Sequence, residues 1–339
     1  MNVKREQLLR ELELVKPGLS AREYLEQSSC FVFDGEDIMT FNDEISCRLP
    51  SSLKITGAIQ ATSLQTILEK MDDEVLQFRE TSKGELQLKG KNKMIGLTKD
   101  AEVFLPVDKV EKPGEWKPLP AAFTEAVGLV QHCVSEDESK FVLTCIHLHP
   151  KYLEACDNQQ LMRYTMKTGL TESVLVRGAS LKQIVSMGMD AVSITPNWIH
   201  FRNGEGLVLS VRKYDETYHN IGGIIDFSGH KIVIPKGLKE AALRAAVFAE
   251  EKSGDSMIKV SLSTGSLKII GEGLSGWYKE GKKVAYEGPP MSFVIAPELL
   301  QHVAEKYQEA EITDEKLKVV GGKWVYVTVL GASETNDQE

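Results

Sequence analysis

The chain has 339 residues, 42% of them apolar and 26% charged, which suits two or three globular domains with sizeable cores. No stretch approaches 18 uninterrupted apolar residues and the start, MNVKREQLLREL, has no signal-peptide character, so no membrane span is expected and the expected location is the cytoplasm. A formal net charge of −9 argues at first sight against nucleic acid, but an acidic outer face and a basic inner face can share one average.

In chain order, the first element is an amphipathic helix, REQLLRELELV from Arg5, with Leu8, Leu12 and Val15 on one face. SCFVFDGEDIMTF then reads as a hairpin, and ATSLQTILEKM as a second helix led by Leu64. VLQFRETSKGELQLKGK adds two strands about a Lys83-Gly84 turn, and the Pro- and Gly-containing stretch EKPGEWKPLP marks a boundary near Gly114–Lys117.

The same series then recurs. AAFTEAVGLVQ from Ala121 places Phe123, Val127 and Val130 on one helical face, and FVLTCIHLHPKYLEAC reads as a hairpin. GASLKQIVSMG is a helix led by Leu181, and VSITPNWIHFRNGEGLVLSVR gives strands with an Asn203-Gly204 turn. A second boundary falls near Phe227–Lys231. The third round is GLKEAALRAAV from Gly237 with Leu238, Ala242 and Ala245, the hairpin MIKVSLSTGSLKIIG, the helix APELLQHVAEK led by Leu299, and KLKVVGGKWVYVTVL with Gly321-Gly322. The first helices repeat at 115 residues (123 − 8 and 238 − 123), and the second helices at 117 and 118 (181 − 64 and 299 − 181). Two independent helices keeping one period indicate a triplicated unit, each unit itself a doubled helix-plus-antiparallel-strands half, in an α+β architecture. The expected domains are 1–116, 117–229 and 230–332, with a polar, disordered tail at 333–339.

Three such units in this order resemble the bacterial-type DNA polymerase III β sliding clamp over nearly the whole chain. The resemblance is carried by REQLLRELELVK at the start, SEDESKFVLTCIHL, YLEACDNQQLM, VLVRGASLKQIVSM, AALRAAVFAEEKSGDSMIKVSLSTGSLKI and the final strand Val325–Leu330. It implies a homodimer closing head to tail into a pseudo-six-fold ring, with sheets outside and helices lining the hole. Such a ring is a processivity factor, not an enzyme. It encircles double-stranded DNA without sequence preference and takes no cofactor or metal. It tethers a DNA polymerase, a clamp loader and other proteins bearing the clamp-binding motif. The alternative is a clamp-fold peptide-binding adaptor or decoy without DNA tethering, which the −9 charge and a helix, AAFTEAVGLVQHC, bare of Lys and Arg both motivate.

The resemblance also implies site residues. DNA-facing cations are Arg10, Arg22, Arg177, Lys182, Lys239 and Arg244; the bland alternative for each is an ordinary solvated charge. A partner-peptide pocket would use Leu143, Cys156, Asn158, Gln159, Gln160, Leu161, Ile224 (or Ile225), Val327 and Val329, the apolar members otherwise being core. The dimer interface would join Ile95 and Leu97 to Val247 and Phe248, with intrachain core the competing reading for Phe248. The chain departs from the family where its DGHR turn becomes Asp157-Asn158-Gln159-Gln160 and where its MPMR ending becomes TVLG plus a tail, divergence that fits a phage or prophage clamp.

Other signals are weaker. GWYKEGKK (Gly276–Lys283) matches G-x4-G-K but lacks the Ser or Thr that binds magnesium, and it reads as strand-turn-strand. His147 and His149 share a strand face without a third ligand. Cys30, Cys47, Cys133, Cys145 and Cys156 are odd in number with no CxxC pair, so buried free thiols are expected.

Overall fold

A computed structural model describes residues 1–81, 84–249, 251–252 and 255–333. Lys83 of the expected first-repeat turn, and all of the expected disordered tail but Ser333, lie outside the described residues. The chain forms two compact units. Unit 1 comprises Met1–His132, Asp137–Leu153 and Met166–Thr217; unit 2 comprises Cys133–Glu136, Glu154–Thr165 and Tyr218–Glu339.

Among the described residues seven α-helices occur: α1 Arg5–Val15, α2 Ala61–Lys70, α3 Phe123–Val130, α4 Gly178–Leu181, α5 Gly222–Ile225, α6 Leu238–Ala246 and α7 Pro297–Lys306. The repeated apolar triads are what bury them. Leu8, Leu12, Val15, Phe123, Val127, Val130, Ala242 and Ala245 are all wholly buried, and Leu238 nearly so. None of the seven has a side-chain N-cap hydrogen bond. With no cap to nucleate them, α1, α3 and α6 depend on docking their apolar face, each buried Leu or Val adding about 1.5–3 kcal/mol.

Unit 1 contains α1 to α4. A small antiparallel sheet runs Asn2–Lys4, Val75–Glu80, Glu85–Lys89, Met94–Thr98. A longer one runs Thr56–Gln60, Cys30–Asp34, Asp37–Phe41, Ile45–Pro50, Val208–Tyr214, Trp198–Asn203, Met189–Ile194, Lys117–Pro118. Its centre is the pairing of Ile45–Pro50 with Val208–Tyr214, in the register Val208↔Arg48 to Val211↔Ile45. Asp43 turns the chain just before that strand at φ 69°, a left-handed conformation that a short polar side chain tolerates. Arg212 fixes it there, its Nε donating to the Asp43 carbonyl at 2.6 Å and its Nη2 to the carboxylate at 2.5 Å, while Tyr214 donates to Glu44.

Unit 2 contains α5 to α7. One antiparallel sheet runs Gly276–Lys283, Ser266–Gly273, Ile258–Ser263, Met291–Ile295, Gly331–Ala332. Another runs Gln160–Thr165, Trp324–Val329, Lys316–Val320, Glu309–Ile312, His230–Val233, Ala285–Tyr286. α6 packs on α7 and on the first sheet, where the Gly271 Cα faces the Ala245 backbone so closely that no side chain fits.

Three local expectations change. The expected helix GASLKQIVSMG is α-helical only over Gly178–Leu181 and continues as a 3-10 segment, Lys182–Ser186. Phe141–Thr144 is not strand but lies in a 3-10 segment, Glu138–Thr144, that is kinked at Lys140; Asp137 accepts from Ser139 N at 3.0 Å before the kink, and Thr144 Oγ1 donates to the Phe141 carbonyl at 2.7 Å after it. GWYKEGKK is one unbroken eight-residue strand, Gly276–Lys283, paired along its length with Ser266–Gly273, so no phosphate loop exists there. All five cysteines are free and buried, and burial pushes the Cys47 thiol up to about 12. No helix among the described residues is long and apolar enough to cross a membrane.

The core of unit 1 holds one wholly buried histidine. His200 Nδ1 lies 2.7 Å from Ser210 Oγ and its Nε2 3.0 Å from Thr195 Oγ1. Thr195 gives its proton to the Trp198 carbonyl, so Nε2 donates and Nδ1 accepts in a neutral ring. Burial pulls the His200 pKa down to about 4 from 6.5, against a smaller opposing pull from Glu111. The unfolded chain therefore binds the proton first. Stability from the neutral ring is complete above pH 6.5 and is lost as pH falls towards 4, a total of about 3 kcal/mol. Urea midpoints of His200→Gln should vary less steeply over that window than those of the unaltered chain.

Candidate functional site

The sequence-predicted pocket residues fall into two groups. Leu143 is buried in unit 1; the others lie in unit 2. The turn Asp157–Gln160 is built by its first residue. The Asp157 carboxylate accepts from the backbone N–H of Gln159 at 2.6 Å and of Gln160 at 2.7 Å, and from Gln160 Nε2 at 3.1 Å. This is an Asx-type turn, which needs the aspartate but neither a glycine nor a basic residue after it. Asp157 N closes the turn by donating to the Gln160 carbonyl.

The strand Trp324–Val329 holds the far side of the turn. Gln160↔Thr328, Leu161↔Val327 and Met162↔Tyr326 are its register partners. The Gln159 carbonyl accepts from Val329 N at 2.8 Å and from Thr328 Oγ1 at 3.1 Å, and Tyr326 Oη donates to Gln160 Oε1 at 3.0 Å. Cys156, Leu161 and Val327 are buried, whereas Asn158, Val329 and Ile224 are exposed. α5 packs against Trp324–Val329. Ile224 at 38% and Val329 at 41% exposure are thus apolar groups left open on two elements in contact.

Three supports have no signal in the sequence. Tyr218 Oη accepts from Cys156 N at 2.8 Å and donates to Cys156 Sγ at 3.3 Å, and burial with the neighbouring Cys156 holds its hydroxyl well above the usual phenol range. Phe227 lies 4.7 Å from Lys318 Nζ and 5.6 Å from Lys316 Nζ, and its carbonyl accepts from Lys318. Beside the turn's strand, Tyr307 stacks within 5.3 Å of Trp324 and 5.7 Å of Tyr326, with His302 5.4 Å from Tyr326.

The candidate DNA-facing cations are mostly paired. Arg10 of α1 reaches Glu205 at 2.6 Å; Lys239 of α6 reaches Glu305 of α7 at 2.8 Å. Arg244 reaches Glu280 at 2.7 Å and Tyr278 Oη at 2.6 Å, and hydrogen bonds from Tyr278, Arg244 and Lys282 hold the Glu280 carboxyl down at about 2. Arg177, at the entry to α4, pairs with Glu138 and stacks 5.7 Å over Phe141. Arg22 and Lys182 are exposed with no carboxylate partner among the described residues. α3 bears Glu125 and no basic residue.

The candidate interface residues flank two sheet edges. Met94–Thr98 ends the small sheet of unit 1, with Ile95 and Leu97 half-buried. Gly276–Lys283 ends the five-stranded sheet of unit 2. Near it Val247 is 71% exposed, and the half-buried Phe248 ring packs on Gly276. Trp277, 64% exposed on that edge with Lys279 Nζ 5.1 Å from its ring, joins this apolar group and was not singled out in the sequence.

No family model matches the chain. It is 24% identical over 250 residues to the "Beta sliding clamp" of Rickettsia felis, covering 68% of this chain and 65% of that protein. It is 24% identical over 292 residues to that of Rickettsia bellii, covering 80% and 74%. The chain thus spans just under two thirds of the first of these relatives. Among solved structures it superposes on the sliding clamp (DNA polymerase III subunit beta) of Bartonella birtlesii bound to griselimycin with a TM-score of 0.85 at 16% identity, covering 98% of this chain and 99% of that one. The DNA polymerase III beta chain of Streptococcus pneumoniae gives 0.84 at 16% identity, with 98% and 99% covered. The chain carries the α+β fold of the DNA polymerase III β subunits, and its similarity to proteins named β sliding clamps places it at a divergent distance from them.

Proposed function

We propose that this chain is a sliding clamp: a processivity factor that closes around duplex DNA as a homodimer and tethers a polymerase and other partners through a peptide pocket. The observation that carries the reading is the superposition on β-subunit structures over 98% of the chain. Two features support it. Both Met94–Thr98 and Gly276–Lys283 leave one edge unpaired among the described residues, beside Ile95, Leu97, Val247, Phe248 and Trp277, which is what edge-to-edge closure between two copies requires. And a ring holds DNA by topology, so it needs no catalytic group and only a few sequence-blind phosphate contacts from Arg10, Arg22, Arg177, Lys182, Lys239 and Arg244.

In the pocket, Ile224 and Val329 offer the open apolar contacts, Asn158, Gln159 and Gln160 the polar rim, and Cys156, Leu161 and Val327 the buried floor. A short peptide with a glutamine and paired apolar residues fits such a mixture. The three domains 1–116, 117–229 and 230–332, the cytoplasmic site of action and the partners named above complete the proposal. The adaptor without DNA tethering is the second reading, and the pairing of four of the six cations with carboxylates favours it.

A topological test separates the two. Once loaded on nicked circular DNA, the chain should stay bound through gel filtration and be lost when the circle is linearised; a chain never retained on the circle is the adaptor. The pocket has its own test. Ile224→Asp with Val329→Asp should weaken binding of a labelled Gln-plus-apolar peptide at least tenfold, since each lost apolar contact is worth about 1–2 kcal/mol, while leaving retention on circles intact.

A further inference from the structure

The helix-face cations are unusual in where their charge goes. Arg10 and Glu205 are 68% and 47% exposed yet sit 2.6 Å apart. Lys239–Glu305 and Arg244–Glu280 span 2.8 Å and 2.7 Å, and Arg177 pairs as closely with Glu138. The carboxylates come from elsewhere in the fold: Glu205 from the turn before Val208–Tyr214, Glu138 from the 3-10 segment, Glu305 from α7 and Glu280 from the edge strand. Tyr278 steadies one of them, bonding both Arg244 and Glu280. Only Arg22 and Lys182 of the six present an uncompensated charge among the described residues.

A cation already paired to a carboxylate gains little by moving to a phosphate, because the freed carboxylate must then take a counterion of its own. The salt dependence of binding counts released counterions, about 0.9 per phosphate neutralised in duplex DNA. Only unpaired cations contribute fully. Exposed ion pairs are also soft, worth no more than about 1 kcal/mol, or about fivefold each. They therefore weaken DNA contact without forbidding it.

We propose that Glu138, Glu205, Glu280 and Glu305 are latches that hold Arg177, Arg10, Arg244 and Lys239 off the DNA phosphates and so set how loosely this chain grips duplex. The inference rests on the clamp reading, and it assigns a part of that function to acidic residues. A ring retained by topology is served by a weak grip, since each phosphate contact it makes must break for it to move. The latches let the faces keep cations for positioning while removing most of their net attraction.

The test is fluorescence anisotropy of the full chain with a short linear duplex over a series of salt concentrations. Glu138→Gln, Glu205→Gln, Glu280→Gln and Glu305→Gln are combined in one variant. A second variant with the same net charge combines Glu115→Gln, Asp215→Asn, Glu216→Gln and Asp314→Asn, exposed acids that are not the ion-pair partners of Arg10, Arg177, Lys239 or Arg244. The latch variant should bind at least tenfold tighter than its charge-matched control at low salt, with a log–log salt slope steeper by about 3. Equal gains in the two variants would overturn the proposal. Adding Arg10→Ala to Glu205→Gln should cancel that substitution's gain; a gain that survives assigns it to overall charge and also overturns the latches. Retention on circles is measured alongside. Retention without a latch effect removes the latches and leaves the clamp. A latch effect without retention removes the ring and leaves the helix faces as an open DNA-binding surface.

Discussion

Unit 1 depends on one antiparallel pairing, that of Ile45–Pro50 with Val208–Tyr214. Strand edges are liabilities unless they are covered, and here strands 160 residues apart in the chain cover each other's edges within one sheet. The register is fixed twice over. Strand pairing has a period of two, so a slip of one residue would bring the buried Ile45 and Cys47 onto the opposite face from the one they fill beside Val211 and Leu209. The Asp43 turn, clamped by Arg212 and followed by the Glu44–Tyr214 bond, resists the same slip from the strand's start. The pairing joins the first two helix pairs into one body. It also brings the turn carrying Glu205 to Arg10 of α1, 195 residues earlier. In unit 2 the pairing of Gln160–Thr165 with Trp324–Val329 has the equivalent consequence: a segment from the middle of the chain becomes part of a body otherwise made of its last third.

Much of this was legible in the sequence, and the reason is periodicity. Leu8, Phe123 and Leu238 begin apolar triads at equal intervals, and each triad is buried because it is the only means by which an uncapped helix of 8 to 11 residues can persist. Hairpins such as Cys30–Asp34 with Asp37–Phe41 announced themselves by alternation and a glycine turn. Periodicity failed where a local hydrogen bond outweighed it. Thr144 donates its hydroxyl to the Phe141 carbonyl and so closes Phe141–Thr144 into a 3-10 turn despite their strand-like composition. The long strand Gly276–Lys283 was obscured by its two glycines, which here pack on Phe248 or face open space instead of turning the chain.

The site was less legible than the fold, for a different reason. A pocket residue could be placed by its match to a motif, but what holds it could not. The loss of a glycine and a basic residue from the turn after Asp157 looks disruptive in sequence, yet the aspartate alone organises the backbone there. Tyr218 reaches Cys156 from 62 residues away, and no pattern announces such a bond. The same holds for the cations. Sequence shows six basic residues on or near helices; it does not show that carboxylates distant in the chain meet four of them. Local pairing, more than the net charge of −9, decides how strongly such a face attracts DNA.

The proposed ring requires two copies to close at the edges Met94–Thr98 and Gly276–Lys283, each unpaired on one side among the described residues. The most direct measurement of that claim is the mass and shape of the particle in solution, by sedimentation together with negative-stain imaging. The account predicts a species of twice 37.7 kDa with pseudo-six-fold outline and a central hole. A monomer that persists at micromolar concentration, with no hole in its projections, would contradict it.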